Sequence, residues 1–227
     1  MIDLHAHYLP PSVLEVAARG RLPVDFEPGR RILDFPSGPS RPVPAPLTDL
    51  AGRLRWIDDR DIDVQVLSPW LDAAGDDLAA GDAATWCRAL NDGCAQDIEA
   101  NPRFRALAAL PVVDGELAAR ELARSVQQLG FSGGAIPTQV GGRDLDAAGL
   151  EPLWEVAESL DVLLFIHPYR VMGGERMKAH FLGNVCGNPF ETTLAAMRLD
   201  FGGVFVRWPG LRVLLAHGGG TPTERPW

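Results

Sequence analysis

Met1-Ile2-Asp3-Leu4-His5-Ala6-His7 opens the chain. The same design, an apolar run ending in histidine, returns at Leu163-Leu164-Phe165-Ile166-His167-Pro168 and at Val213-Leu214-Leu215-Ala216-His217-Gly218-Gly219-Gly220. Short apolar runs bounded by Pro or Gly read as buried parallel strands. In a barrel of such strands, the carboxyl ends line the mouth where the chemistry is kept. Four of the five histidines stand at such ends, and His180 is left over. His5 and His7 are two apart, so on a strand they share one face. Both imidazoles can then reach one metal ion at Zn–N distances of about 2.0–2.1 Å. His167 and His217 arrive from other strands. A lone histidine would read as a core residue; a strand-borne His-x-His with two partners reads as a metal site.

The rest of the chain repeats a β/α step. Strands are expected at 2–5, 64–68, 104–110, 134–136, 162–166 and 212–216. Thr48 or Asp49 can cap a helix over 50–59. Trp86, Leu90, Cys94 and Ile98 recur every four residues in a helix over 82–100, stopped by Asn101-Pro102. Asp114 caps the next, with Ala118, Leu122, Val126 and Leu129 inward and Gly130 as its C-terminal cap. Pro152 suits the first turn of a helix whose core face is Leu153, Val156, Ala157 and Leu160. A last helix over 191–206 would turn Leu194, Met197, Phe201 and Phe205 inward. Residues 20–48 are rich in Pro, Gly and Arg without apolar periodicity. They read as a long excursion over the barrel top, or as a disordered surface loop in their middle. Strands alternating with helices imply a parallel sheet. The expectation is one α/β domain over 1–227: a (β/α)8 TIM-type barrel, incomplete, with six units present and the last two missing.

Composition excludes several roles. The net charge of −9 and the lack of any Lys/Arg run argue against nucleic acid or an anionic membrane as partner. Three scattered cysteines without a Cys-x-x-Cys fit free thiols in a reducing compartment, hence a cytoplasmic location. No signal peptide is read at the N-terminus, and no apolar run approaches the roughly 18 residues of a membrane span. There is no phosphate loop, no Gly-x-Gly-x-x-Gly and no Gly-x-Ser-x-Gly elbow. An acidic substrate needs local cations. The segment after His167 supplies Tyr169 and Arg170 at its start and Arg176 and Lys178 further on. Glu191 reads as a carboxylate at a positive helix end.

Asp3-Leu4-His5-Ala6-His7-Tyr8-Leu9-Pro10, His167-Pro168, Asn188-Pro189-Phe190-Glu191-Thr192-Thr193, Gly202-Gly203-Val204-Phe205 and Ala216-His217-Gly218-Gly219-Gly220 together resemble the amidohydrolase superfamily. The branch is that of aminocarboxymuconate-semialdehyde decarboxylase, with γ-resorcylate and carboxyvanillate decarboxylases and some hydratases and hydrolases. The resemblance runs from residue 1 to about residue 220. It implies a (β/α)8 barrel with one catalytic divalent metal, zinc first and manganese second. By motif, His5, His7 and His167 would be the metal ligands and His217 the catalytic acid/base. Phe181 and Asn184 align with pocket positions of the decarboxylases. The implied reaction is non-oxidative decarboxylation of a small unsaturated or aromatic carboxylic acid. A metal-dependent hydrolase or hydratase is the alternative, and an inactive fragment or non-catalytic metal-binding protein is the reading of another class. The resemblance also implies an aspartate on the last barrel strand, whereas no Asp follows Asp200. The chain is therefore expected to be a C-terminally truncated barrel with a weakly held metal. Its open edges would invite homodimerisation or non-specific association.

Overall fold

The computed structural model describes residues 1–219. Strand β1 covers Ile2–Tyr8, three residues longer than expected, so it carries both His5 and His7. Helix α1, Pro11–Ala17, starts with proline in its first turn and buries Val13, Leu14 and Ala17.

The excursion over 20–48 is ordered, not a loose loop. Strands β2 (Asp25–Glu27), β3 (Ile32–Phe35) and β4 (Gly38–Pro39) pair antiparallel in that order. A few apolar side chains suffice because they share a core with the barrel's outer layer. Val24, Leu33, Phe35 and Val43 pack with Trp70 and Trp86, and the Phe35 ring stands edge-on to Trp86 at 6.1 Å.

Helix α2, Leu50–Asp58, is capped by Asp49, which accepts from the Gly52 amide at 2.8 Å. Strand β5 (Val64–Pro69) and helix α3 (Ala80–Ile98) follow as expected. The expected third strand is bent at Leu107 into β6 (Phe104–Ala106) and β7 (Ala108–Ala109). The Leu107 amide still bonds the Leu67 carbonyl of β5 at 2.8 Å. Beyond the bend the buried Asn91 amide stands in for a strand neighbour. Its Nδ2 donates to the Ala109 carbonyl at 2.9 Å, and its Oδ1 accepts from the Ala109 amide at 2.8 Å.

Helix α4, Gly115–Leu129, is capped by Asp114 and ends on Gly130 at φ 71°. Strand β8 (Gly133–Pro137) opens on Gly133 at φ 152°, where a Cβ would meet the Leu163 carbonyl oxygen at 1.9 Å. Only glycine permits that approach. A small hairpin, β9 (Gln139–Val140) and β10 (Arg143–Asp144), precedes helix α5, Glu151–Ser159. Strand β11 (Leu163–His167), helices α6 (Asn188–Phe201) and α7 (Val204–Arg207), and strand β12 (Arg212–Leu215) complete the described chain.

Counting β6 and β7 as one bent strand, six strands run parallel in chain order from β1 to β12, with helices covering the sheet. β1 and β12 are its edges. This is a (β/α) barrel left open between its first and last described strands. Ile136, Leu164 and Ile166 pack under Leu122, Leu153 and Trp154 of the covering helices. The last helix departs from its expected phase. Thr192, Ala195 and Leu199 are buried, whereas Leu194 and Met197 are half-buried and Phe201 is 78% exposed. Buried polar Glu191 and Thr192 set the inward face, which apolar periodicity does not register. The pair Gly202-Gly203 then divides the expected single helix, leaving Phe205 against the core. No helix of the described residues is long and apolar enough to cross a membrane.

Candidate metal centre

His5 and His7 stand two residues apart on β1, beside a register shift against β5 between Asp3 and Ala6, and their rings come together. The nitrogens of His5, His7 and His167 that could bind a metal all lie within 4.8 Å of one another. Ring centroids are 5.2 Å apart for His5 and His7, 4.9 Å for His5 and His167, and 4.8 Å for His7 and His167. His217 joins them, 4.8 Å from His167 and 5.4 Å from His5. Its φ of 54°, with Gly218 at 69° and Gly219 at 81°, is left-handed. That turn ends β12 and brings the His217 ring to the cluster. Phe165 walls the group, its ring 5.3 Å from His5 and 5.7 Å from His167.

Neighbours orient the rings. His7 Nδ1 lies 3.2 Å from the Pro69 carbonyl and 3.0 Å from Ser68 Oγ. A carbonyl only accepts, so Nδ1 carries the proton and Nε2 keeps its lone pair. Ser68 Oγ itself donates to the Ala6 carbonyl at 3.3 Å. His167 Nδ1 and His217 Nδ1 are buried without a hydrogen-bond partner. Burial, then the neighbouring His5, lowers the His7 pKa to about 4. His167 is lowered further by burial and then by His7 and His5. Burial also lowers His5 and His217. At neutral pH the cluster is uncharged, and its lone pairs are free for a cation. Converging neutral imidazoles, an aromatic wall and an unpartnered buried ring nitrogen on His167 fit a divalent transition metal.

The four histidines open into a cavity of about 340 Å³. Tyr169 and Asn184 line it, as do Arg41, Trp70, Asp72 and Asn188. The other residues expected after His167 lie elsewhere. Arg170 stacks on Tyr169 at 4.9 Å, pairs with Asp76 at 3.6 Å and lines a neighbouring cavity of about 270 Å³. Phe181 is 79% exposed, outside the lining of the histidine cavity. Short turns with left-handed backbone at His180 and Phe181 carry that side chain outward. Arg176 is exposed, and Lys178 pairs with Glu175 at 2.6 Å. Glu191 is more than a charge at a helix end. It is buried, and its Oε1 accepts from the Met172 amide at 2.6 Å, tying the start of this segment to α6. Burial raises its pKa.

Arg41, Trp70 and Asp72 were not read from the sequence. A signal existed for the last two, since Trp70-Leu71-Asp72 directly follows the Pro69 end of β5, where barrel sites draw residues. Arg41 had none beyond its place in the excursion. A cavity of about 530 Å³ lies on the β1 flank, lined by Asp3, His5, Arg53, Trp56 and Gln65. There Gln65 donates to Asp3 at 2.7 Å, and Arg53 donates to Gln65 at 3.1 Å and to the His7 carbonyl at 2.7 Å.

The chain is 36% identical over 226 residues to 2-amino-3-carboxymuconate-6-semialdehyde decarboxylase of Dictyostelium discoideum, covering 97% of this chain and 63% of that protein. It is 35% identical over 186 residues to a gamma-resorcylate decarboxylase of Polaromonas sp., covering 74% of this chain and 55% of that one. The chain thus spans less than two thirds of either relative. The crystal structure of a dihydroxybenzoic acid decarboxylase from Polaromonas sp., with bound manganese and the inhibitor 2-nitroresorcinol, superposes with a TM-score of 0.75 at 28% identity. That match covers 96% of this chain and 65% of the other. The protein-family model described as amidohydrolase matches residues 2–227, and the chain belongs to that family.

Proposed function

We propose that this chain serves a metal-dependent, non-oxidative decarboxylation of a small unsaturated or aromatic carboxylic acid. The observation that carries the reading is the convergence of four neutral histidines on one cavity with Arg41 at its rim. His5, His7 and His167 would hold one divalent ion, zinc or manganese, which supplies Lewis acidity and a seat for substrate oxygens when bound.

The remaining steps belong to the protein. Arg41 is the cation among the residues lining the cavity and offers a guanidinium fork to the carboxylate. Trp70 and Tyr169 give an aromatic wall for a flat, conjugated acid. Losing CO₂ leaves an electron pair on carbon, so that carbon must gain a proton. His217 is uncharged at neutral pH and faces the cavity. It can take a proton from an acidic substrate group and deliver it to that carbon; the net change is a carboxylate and a proton going to C–H and CO₂. General acid–base transfer of this kind contributes about 10²–10⁴-fold.

The test is CO₂ release from 2,6-dihydroxybenzoate and from aminocarboxymuconate semialdehyde by metal-loaded protein. Turnover that depends on metal and on His217 supports the reading. Hydrolysis of ester or lactone substrates without CO₂ release from either acid would replace it with a hydrolase.

A further inference from the structure

We propose that Asp72 is a positioning residue for the substrate carboxylate, acting through Arg41. The inference rests on the carboxylate role given to Arg41 above. Arg41 Nε donates to Asp72 Oδ2 at 2.6 Å, and Nη2 donates to Oδ1 at 3.0 Å. This pairing uses the side edge of the guanidinium. It leaves the Nη1–Nη2 end of the fork, and both residues line the histidine cavity. A planar guanidinium presents its donors at fixed angles, so fixing one edge fixes the direction of the other.

The two partners differ in mobility. The Arg41 side chain is 74% exposed on the excursion that follows β4, whereas that of Asp72 is 14% exposed. Asp72 sits in the short turn Leu71–Ala73 directly after β5. The Ala73 amide bonds the Trp70 carbonyl at 2.8 Å, and the buried Trp86 indole donates to the Ala73 carbonyl at 2.8 Å. The rigid partner is therefore the carboxylate, and it aims the long flexible cation. On the Arg41 side, Ser40 Oγ bonds the Arg41 carbonyl at 2.7 Å, and the Ser40 amide bonds the Leu33 carbonyl of β3 at 2.8 Å. Asp72 thus couples the excursion to the barrel at the rim of the site.

A carboxylate beside an anion-binding arginine can act in two opposite ways. As a competitor it would occupy the cation, and its removal would tighten substrate binding. As a positioner it preorganises the fork, and its removal would weaken binding. The side-edge geometry favours the second, because substrate and Asp72 need not share the same donors.

The experiment is calorimetric titration of the manganese-loaded chain with 2,6-dihydroxybenzoate, and with resorcinol as the ligand lacking the carboxylate. D72N is expected to weaken 2,6-dihydroxybenzoate by about tenfold and to leave resorcinol unchanged. D72E should recover part of the loss. R41K, which keeps the charge but loses the fork, should show a similar loss with Asp72 intact. In an R41A background, D72N should cost nothing further. Equal or tighter carboxylate binding by D72N overturns the proposal, as does an equal loss for resorcinol. If R41A alone binds the carboxylate as tightly as wild type, the Arg41 reading has failed and the role of Asp72 falls with it.

Discussion

The His217 ring lies 5.4 Å from the His5 ring, centroid to centroid, although β12 and β1 are the two edges of the sheet and share no ladder. The twist of the sheet and the left-handed turn at His217 bring the ends of the described barrel together at its mouth. The first and last strands therefore supply one site without touching as strands.

That relationship separates two roles. The His5→Ala/His7→Ala double variant should lose the metal, read by elemental analysis after dialysis. His217→Asn should keep nearly all of it while losing about 10²–10⁴-fold in turnover. Metal lost in step with activity in His217→Asn would make His217 a ligand instead.

Ser68 lies 3.0 Å from His7 Nδ1 and shares the Pro69 end of β5. Removing its hydroxyl takes away one of the two contacts that orient the ring and leaves the Pro69 carbonyl. Ser68→Ala should weaken metal affinity by about 10–100-fold, the usual scale for partners that orient a ligand. Competition with a chromogenic chelator measures it, and unchanged affinity would assign the orientation to the Pro69 carbonyl alone.

The metal-free protein should lose stability in mild acid. Burial holds His7 at a pKa of about 4 in the folded chain, and His167 is lowered in the same direction. Unfolded, both return to about 6.5. Between those values the unfolded state binds more protons, so stability falls as the pH drops from about 6.5 toward the folded value. Calorimetric Tm against pH should slope less in a His7→Gln/His167→Gln variant. Identical slopes would contradict the neutral buried cluster.

Glu191 ties Met172 to α6 through a bond of 2.6 Å. Glu191→Ala removes a part-buried bond from an exposed segment and should cost about 0.5–1.5 kcal/mol, the net scale for such a bond. Limited proteolysis should then cut sooner within residues 172–187. Cleavage at the wild-type rate and place would refute the tether.

The β/α alternation was legible because each strand is a short apolar run stopped by Pro or Gly, and each helix keeps a regular stripe. Asp49, Asp114 and Gly130 cap their helices as their residue types dictate. Two readings failed where the deciding contact was distant. The excursion looked irregular, yet Leu33 and Phe35 find their partners in Trp70 and Trp86. Helix α6 took its phase from Glu191 and Thr192, polar residues buried by specific bonds.

By itself, the sequence determined the histidine set, because period-two placement on β1 and apolar runs at β11 and β12 leave each imidazole at a strand end. Which other side chains join them was decided only by the tertiary structure. Arg41 and Asp72 lie far apart in the chain and meet as a bidentate pair, whereas Phe181, fourteen residues after His167 in the numbering, points to solvent. Strand periodicity is local and can be read along the chain. The approach of an excursion to a barrel mouth depends on packing between distant segments, and no local pattern encodes it.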